Sequence, residues 1–453
     1  WPNAWLPNAW LTHARPHRIM RTCANWLLTL TPRNPPRMKL TLVSHNIVQG
    51  DGQGRVNHAI VSHALRHGAQ VTLVADAVDP DLVEAGARWI PVQVPLDRVN
   101  LWKTWAFARR ANRVVQSLGE DAGVVIGCGF TLGVPHDVNV AHFVHNAWMK
   151  SPVHTAEVES GLYAWYQQAY SWFNARWELR AFRHARHVVA VSELVRDELT
   201  EAMDAPTTRS RADGATPPIS VIPNGVDPAE FRPAEDDTER ALLKQDVTGD
   251  ANTPLAFFAG DLRTPRKNLD TVLHALVDVP DVHLAVAGTL DGSPYPALAD
   301  QLGLSRRVHF LGYRSDMPAL MRAADVFVAP SCYEPFSLVV LEAMASGCPV
   351  VTAKSVGAHP LVDATGSNGA AGAAGVVIAD PDDADALTHA LQHVLTPDVN
   401  ARMRRAARAI AERHSWTSVD DQYLTLFSDL YREASHLQPR LRHAHQPGVL
   451  LRG

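Results

Sequence analysis

The stretch ADVFVAPSCYEPFSLVVLEAMASGCPVV, Ala324 to Val351, reads as strand, loop, helix and second strand. The apolar run ADVFVAP stops at Pro330, a short polar loop follows, an amphipathic helix begins near Ser337, and PVV opens the next strand. Strands that alternate with helices in this way build parallel sheets. The same segment places Glu334 in the loop and Glu342 inside the helix, eight positions apart. At about 1.5 Å per residue they lie roughly 12 Å apart at most along the axis, within reach of one elongated ligand. The helix N-terminus lies between them, and its N–H groups and dipole favour an anion there, a diphosphate being of suitable length. Taken alone, the two carboxylates read more readily as ordinary helix-end and solvated helix charges.

Outward from this unit the pattern repeats. PLAFFAG, VHLAVAG, VHFLG, DVFVAP, PVVTA and GVVIA form one alternating series. An earlier one runs through MKLTLVSH, the helical VNHAIVSHALRHG, AQVTLVAD, GVVIGCG and VNVAHFVH. The fold class is therefore α/β, with two doubly wound, Rossmann-like parallel-sheet domains facing a central cleft, because such sheets bind ligands outside the carboxyl ends of their strands. VIPNGVD supplies the crossover, with Pro223, Asn224 and Gly225 giving turn chemistry. The expected layout is a leader (1–37), an N-terminal domain (38–224), a C-terminal domain (225–415), a terminal helix (416–435) returning toward the first domain, and a tail (436–453). Ala205–Pro218 and Asp363–Gly375, rich in small and polar residues, read as flexible insertions.

Length and a hydrophobic content of 46% allow two sizeable cores. A formal charge of -5 gives no reason to expect nucleic acid as partner. Cys23, Cys128, Cys332 and Cys348 show neither C-x-x-C nor metal-ligand spacing, which fits a reducing compartment. No apolar run approaches the roughly eighteen residues that span a bilayer, so the expected location is cytoplasmic, at most peripheral on the inner membrane face. The first 37 residues begin with Trp, contain the near-repeat PNAWLPNAWL and carry no acidic residue. They read as a non-native or disordered leader from an over-extended reading frame; a signal peptide is the alternative, though ANWLLTL is short and lacks a small-residue cleavage site.

The segment around Glu334 and Glu342 resembles the E-x7-E signature of the retaining glycosyltransferases of family 4, group 1 type. VIPNGVDPAEF (Val221–Phe231), FFAGDLRTPRKNLDTVLHAL (Phe257–Leu276) and VHFLGYRSDMPALMRAADVFVAPS (Val308–Ser331) follow in that family's order and spacing. The resemblance runs from Met38 to about Tyr431. It implies the GT-B fold and transfer of a sugar from a nucleoside diphosphate sugar, the co-substrate, to a hydroxyl acceptor, in cell-surface polysaccharide or glycolipid synthesis. It implies no required cofactor or metal, since cationic side chains can take over the charge.

By the same resemblance Glu342 binds the ribose hydroxyls, a role suited to the two acceptor oxygens of a carboxylate. Glu334, with Pro335, Phe336, Ser337 and Leu338, contacts the transferred sugar and phosphates. Arg266 and Lys267 neutralise the leaving diphosphate, and Tyr313 and Arg314 form the nucleotide wall. In the N-terminal domain His145 is the better match to the family's strand-end His and His142 the second choice. The loop QGDGQGR brings Gly52 and Gly54 close to phosphate or sugar. Catalytic roles fall to His145, Glu334 and Lys267, with no protein nucleophile. Two departures stand out: Asp261 follows Gly260 where the family commonly has Arg, leaving Arg263 as the substitute, and Ser337 replaces the commoner Gly. VGAHP also lacks a frequent acidic residue.

The acceptor, a saccharide or a lipid-linked one, is not legible. LWKTWAFARRANR (Leu101–Arg113) combines Trp102, Trp105 and Phe107 with four cations and no acidic residue. It reads either as a helix resting on an anionic membrane or as one packed by its aromatics. Two competing functions remain: a non-catalytic nucleotide-sugar-binding or scaffold subunit, which Asp261 and Ser337 favour, and another GT-B enzyme such as an epimerase or phosphorylase.

Overall fold

Leu40, Leu42 and Val43 of the first strand, Lys39–Val43, are at most 3% exposed. Leu40 and Leu42 enter one apolar cluster and Val43 another, so the strand is covered on both faces, as parallel strands require. The computed structural model describes residues 37–50, 52–94, 100–204, 216–363 and 372–444, with 435–444 as backbone only. The leader 1–36, most of each expected insertion (205–215 and 364–371) and the tail from 445 lie outside the described residues. The sheets and helices all belong to the unit Met38–Gly453.

The N-terminal half carries seven parallel strands in the order Arg88–Pro91, Gln70–Ala75, Lys39–Val43, Val124–Cys128, His136–Ala141, Ala185–Ala190, Ile219–Val221. Leu40 faces Val71 on one side and Val124 on the other. The C-terminal half carries six, ordered Val308–Gly312, His283–Ala287, Leu255–Ala259, Val326–Ala329, Val350–Ala353, Gly375–Ile378. In each sheet the strand order reverses beside the strand that opens the half. The crevice outside the strand carboxyl ends at that switch point is where such sheets take ligands.

After Ile219–Val221 the chain crosses to the second half through Pro223, Asn224 and Gly225, and near its end it crosses back. The two crossings are tied together: Val226 N donates to His414 O at 3.0 Å and Trp416 N to Val226 O at 3.0 Å. A Cβ at Gly225 would lie 2.7 Å from the Trp416 ring, which makes glycine necessary there. The terminal helix Trp416–Ala444 then lies on the first helix, Gly52–Arg66, burying Val419, Tyr423, Phe427 and Leu430. Their spacing of four, four and three marks one face of a helix. His63 Nε2 to Asp421 (2.9 Å) reinforces the contact, and Arg186 of the strand Ala185–Ala190 ties Glu433 of the terminal helix to the sheet (2.9 Å). The helix runs to Ala444, into the stretch expected as tail; no glycine interrupts it.

Among the described residues this contact buries several polar atoms without partners, on His63, Tyr423 and Asp420, and Asp420 is the acidic one. Asp420 is 1% exposed, and both its carboxylate oxygens lack a hydrogen-bond partner among the described residues. Burial pushes its carboxyl up to about 7, against the opposing pull of Arg66. A folded-state value raised above the unfolded one means that Asp420 costs least below the unfolded value near 3.8 and destabilises progressively as pH rises to about 7. Asp420→Asn is therefore expected to stabilise the protein at pH 8 by about 2–4 kcal/mol, with the gain shrinking toward pH 5. Thermal melts of both proteins at the two pH values check this.

Candidate functional site

The strand Val326–Ala329 delivers the loop Ser331–Phe336 to the carboxyl edge of the second sheet. Backbone bonds then fix the loop's shape. Glu334 N donates to Ser355 O (3.1 Å), Gly357 N to Glu334 O (2.8 Å) and Ala358 N to Phe336 O (2.8 Å). Ser192 Oγ, from the N-terminal half, donates to Pro335 O at 2.6 Å. The VGA segment, marked in the sequence for the acidic residue it lacks, thus serves as the backbone splint of the EPF loop. Ser337 enters the helix Leu338–Ala345 at φ +85°, a region that costs a non-glycine residue about 1–2 kcal/mol. The Ser in place of Gly is therefore a strained one. The helix itself is not amphipathic as expected: Val340 through Ala345 are all buried, because it is enclosed between the sheet and the helix Pro397–Arg413.

Two ion clusters face each other across the crevice. In the first, Arg266 Nη1 lies 3.1 Å from Glu334 Oε2, and Lys267 Nζ bonds the same oxygen. Burial alone would raise the Glu334 carboxyl, but Lys267 and Arg266 overcome it and hold the group below the ordinary value. Glu334 is thus ionised at neutral pH, and the trio carries a net single positive charge. The turn Pro265–Lys267 that presents both cations is anchored by Asn268, at φ +60°, whose side-chain amide donates to Asp382 Oδ1 (2.9 Å) and Pro381 O (2.7 Å). A Cβ at Gly260 would sit 3.0 Å from Lys267 Cγ, a tight contact that would press on the lysine.

In the second cluster Glu342, 5% exposed, accepts from Arg55 Nη1 at 2.5 Å. Burial raises the Glu342 carboxyl, Arg55 opposes that, and Glu230 adds to it; the net direction is upward.

Between the clusters lies a cavity of about 580 Å³. Gly52, Arg266, Lys267, Glu334, Pro335, Phe336, Ser337, Leu338 and Glu342 all line it, so the structure brings most of the sequence-predicted donor residues together. The helix Leu338–Ala345 points its first turn at it, where N–H groups without intrahelical partners suit an anion.

Five expected residues fall elsewhere. Gly54 is buried within the helix Gly52–Arg66. Arg263 is held by its neighbour Asp261, Nε to Oδ1 2.9 Å, in an exposed pair that keeps it from substituting in the cavity. Arg314 is likewise held by Asp316 (Nε to Oδ1, 2.7 Å), and Tyr313 stands 83% exposed beyond the strand Val308–Gly312. His145 is the fifth: its backbone N and Nδ1 bond the Glu178 carboxylate at 2.8 and 3.1 Å. His142 occupies the cavity wall instead, because the strand ends at Ala141, three residues earlier than the His145 assignment needs. Its Nε2 is shielded and has no partner among the described residues, and burial pulls its value down to about 4, so it presents a neutral imidazole.

Sequence reasoning also missed Arg55 and Asn224 as site residues. Asn224, known only as a turn residue, is 6% exposed, lines the cavity and leaves Oδ1 without a partner among the described residues. Two groups of described residues have metal-ligand proximity, His63 with His67 and Asp421, and His58 with Asp79 and Asp81; none of these residues lines the cavity.

Comparison with known proteins places the chain as a whole. The Glycosyltransferase Family 4 profile matches residues 50–230, and that of the Glycosyl transferases group 1 matches residues 253–397. D-inositol 3-phosphate glycosyltransferases of Mycobacterium tuberculosis and Mycobacterium bovis are 37% identical over 223 residues, 47% of this chain. The match spans 44% of those relatives' own length. Among solved structures, the sucrose-phosphate synthase of Thermosynechococcus elongatus superposes with a TM-score of 0.66 at 19% identity, covering 88% of this chain and all of that one. WaaG, a glycosyltransferase involved in lipopolysaccharide biosynthesis, gives 0.64 at 20%, covering 85% and 98%. Anabaena HepE in complex with UDP-glucose gives 0.61 at 22%, covering 87% and all of its chain. These likenesses show the fold, which is GT-B; with the two profile matches, on either side of the crossover, the chain belongs to the group 1, family 4 glycosyltransferases.

Proposed function

We propose that this protein transfers a glycosyl group, with retention at the anomeric carbon, from a nucleoside diphosphate sugar to a hydroxyl acceptor in cell-surface polysaccharide or glycolipid synthesis. The observation that carries the proposal is the cationic pair Arg266 and Lys267 on the ionised Glu334, facing the buried Glu342 across a cavity that a helix N-terminus closes. Glu342 accepts from the ribose diol, Glu334 from hydroxyls of the transferred sugar, and Lys267 with Arg266 and the helix N–H groups takes the diphosphate. In the step itself the acceptor oxygen forms its bond to the anomeric carbon as the bond from that carbon to phosphate breaks. The departing phosphate oxygen takes the acceptor's proton on the same face, so no protein nucleophile is assigned. Lys267 and Arg266 offset the charge that grows on the leaving group, and no metal is required of the residues in place. The neutral His142 offers a hydrogen bond to the sugar, taking the part first given to His145. The relatives named as glycosyltransferases and the HepE complex with UDP-glucose support a uridine diphosphate sugar as the first donor to try.

Donor panels followed by NMR of the products test this reading. A new glycoside with the donor's anomeric configuration and free nucleoside diphosphate is the expected result. An epimerised nucleotide sugar or a sugar phosphate would point to another GT-B reaction. Donor binding without turnover would favour the scaffold reading, which the removal of Arg263 from the cavity by Asp261 supports.

Peripheral contact with an anionic membrane on the cytoplasmic side belongs to the same proposal. In the helix Asn100–Leu118, Phe107, Ala111 and Val115 are buried, while Trp102 (48% exposed), Trp105 (36%), Arg109 and Arg113 share the outer face. The helix Gly161–His184 also exposes Leu162, Tyr163, Trp165, Trp172 and Phe173. Aromatic rings beside arginines suit the lipid headgroup boundary. No helix among the described residues is long and apolar enough to cross a membrane. Vesicles containing phosphatidylserine are expected to pellet the protein at low salt, Trp102→Ala with Trp105→Ala to weaken this at least several-fold, and high salt to reduce it. Equal pelleting by neutral vesicles, or none, would remove the idea.

A further inference from the structure

Arg55 is the fourth residue of the helix Gly52–Arg66 in the N-terminal half, yet its partners belong to the C-terminal half. Nη1 donates to Glu342 Oε1 at 2.5 Å, Nη2 lies 3.5 Å from Glu230 Oε2, and the guanidinium sits over the Phe231 ring at 5.7 Å. Arg55 and Glu342 both line the cavity. Two carboxylates and a ring from one half thus converge on a single cation from the other.

The surroundings of Glu342 explain why a cation is needed. Its helix neighbours Leu341, Ala343 and Met344 are fully buried. A carboxyl in such a place takes up a proton unless a positive charge is held against it, and a protonated carboxyl offers a diol fewer acceptor sites. Several charged groups on the packed elements are committed elsewhere. Arg408 and Arg404, on the helix Pro397–Arg413, donate to the Ala345 and Ala324 carbonyls. Arg322, on the helix Met317–Ala323, pairs with Glu239, and Arg266 and Lys267 pair with Glu334. On the helix of Arg55 itself, His58 pairs with Asp81 and His63 with Asp421. Glu230 is the other charge acting on Glu342, and its sign is the wrong one.

We propose that Arg55 is a positioning residue for donor recognition: it orients Glu342 into the cavity through a charge-assisted hydrogen bond from the other half, and so makes recognition of the ribose diol depend on the two halves being together. The inference rests on the transferase reading. With Nη1 on Oε1, the second oxygen of Glu342 remains available to the diol. The planar fork of arginine serves Glu342 and Glu230 at once, which a lysine ammonium does less well.

Calorimetric titration of the wild-type chain, Arg55→Ala and Arg55→Lys with uridine, adenosine and guanosine diphosphates and their 2′,3′-dideoxy counterparts tests this between pH 6 and 9. Wild type is expected to prefer the ribose form throughout. Arg55→Ala is expected to lose that preference by at least tenfold at pH 7 and to regain part of it as pH rises and Glu342 ionises unaided. Affinity for the dideoxy forms should change little, and Arg55→Lys should fall between. A variant that weakens ribose and dideoxy forms equally, or that keeps the wild-type preference and pH profile, overturns the inference alone. Failure of the wild type to bind any of these diphosphates overturns the transferase reading and the inference together.

Discussion

Replacing Lys267 with alanine is expected to lower nucleoside diphosphate release by about 10²–10³-fold while leaving the fold intact, the scale found when one preorganised donor to a developing anion is removed. The arithmetic of charge is the reason. Lys267, Arg266 and Glu334 together carry a net single positive charge, and the substitution brings it to zero where the leaving diphosphate gains negative charge. Arg266 still reaches Glu334 at 3.1 Å, so the buried carboxylate keeps a partner and the loop keeps its shape. The loss should therefore fall mainly on kcat, with a smaller effect on donor affinity. Lys267→Arg should recover part of the activity. Steady-state assays with unchanged melting behaviour check this, and wild-type turnover in Lys267→Ala would exclude Lys267 from the chemistry.

A large structural effect is expected from a single methyl group at Gly357, beside the site. A Cβ there would lie 1.8 Å from Pro335 O, 2.6 Å from Pro335 C and 2.6 Å from Ser192 Oγ. Two of these atoms are backbone and cannot swing aside, so the EPF loop must move or the VGA splint must detach. Either costs the bond from Gly357 N to Glu334 O and the one from Ser192 to Pro335 O. Gly357→Ala is expected to destabilise by about 3 kcal/mol or more, at or above the upper end of overpacking costs. It should also abolish measurable donor binding, because Glu334 and the N-terminus of the helix Leu338–Ala345 are positioned by that loop. A melt within a degree or two of wild type with donor binding retained would show that the loop relaxes freely.

The two sheets were legible because each strand is a short apolar run bounded by turn residues, and because helix-period segments separate them; Lys39–Val43 and Leu255–Ala259 read directly from residue type. Much of the donor side was legible for a local reason. Arg266 and Lys267 sit on one turn, Glu334 and Ser337 on one loop and Glu342 in the helix that follows that loop, so their order along the chain fixes their neighbours. What the other half contributes was harder to see. Arg55 and His142 reach the cavity only when the halves meet, and no periodicity within either segment reports that meeting. A signal for Arg55 existed in its place three residues after Gly52, at a helix start facing the cleft. His142 stood second to His145 because the apolar HFVH run looks like continuing strand, whereas pairing with Ala185–Ala190 ends at Ala141. Arg263 and Arg314 fail for the opposite reason: an aspartate two residues away captures each guanidinium, a local competition that a motif-level reading does not weigh.

Donor recognition by Glu342 is tested by calorimetric titration of wild type and Glu342→Ala with a panel of nucleoside diphosphate sugars, recording nucleoside diphosphate release alongside. Wild type is expected to bind one donor preferentially and hydrolyse it slowly, and the substitution to weaken binding by about 10²-fold, as for the loss of two hydrogen bonds to a charged acceptor. Absence of binding by any donor at millimolar concentration, or equal binding by the two proteins, would contradict it.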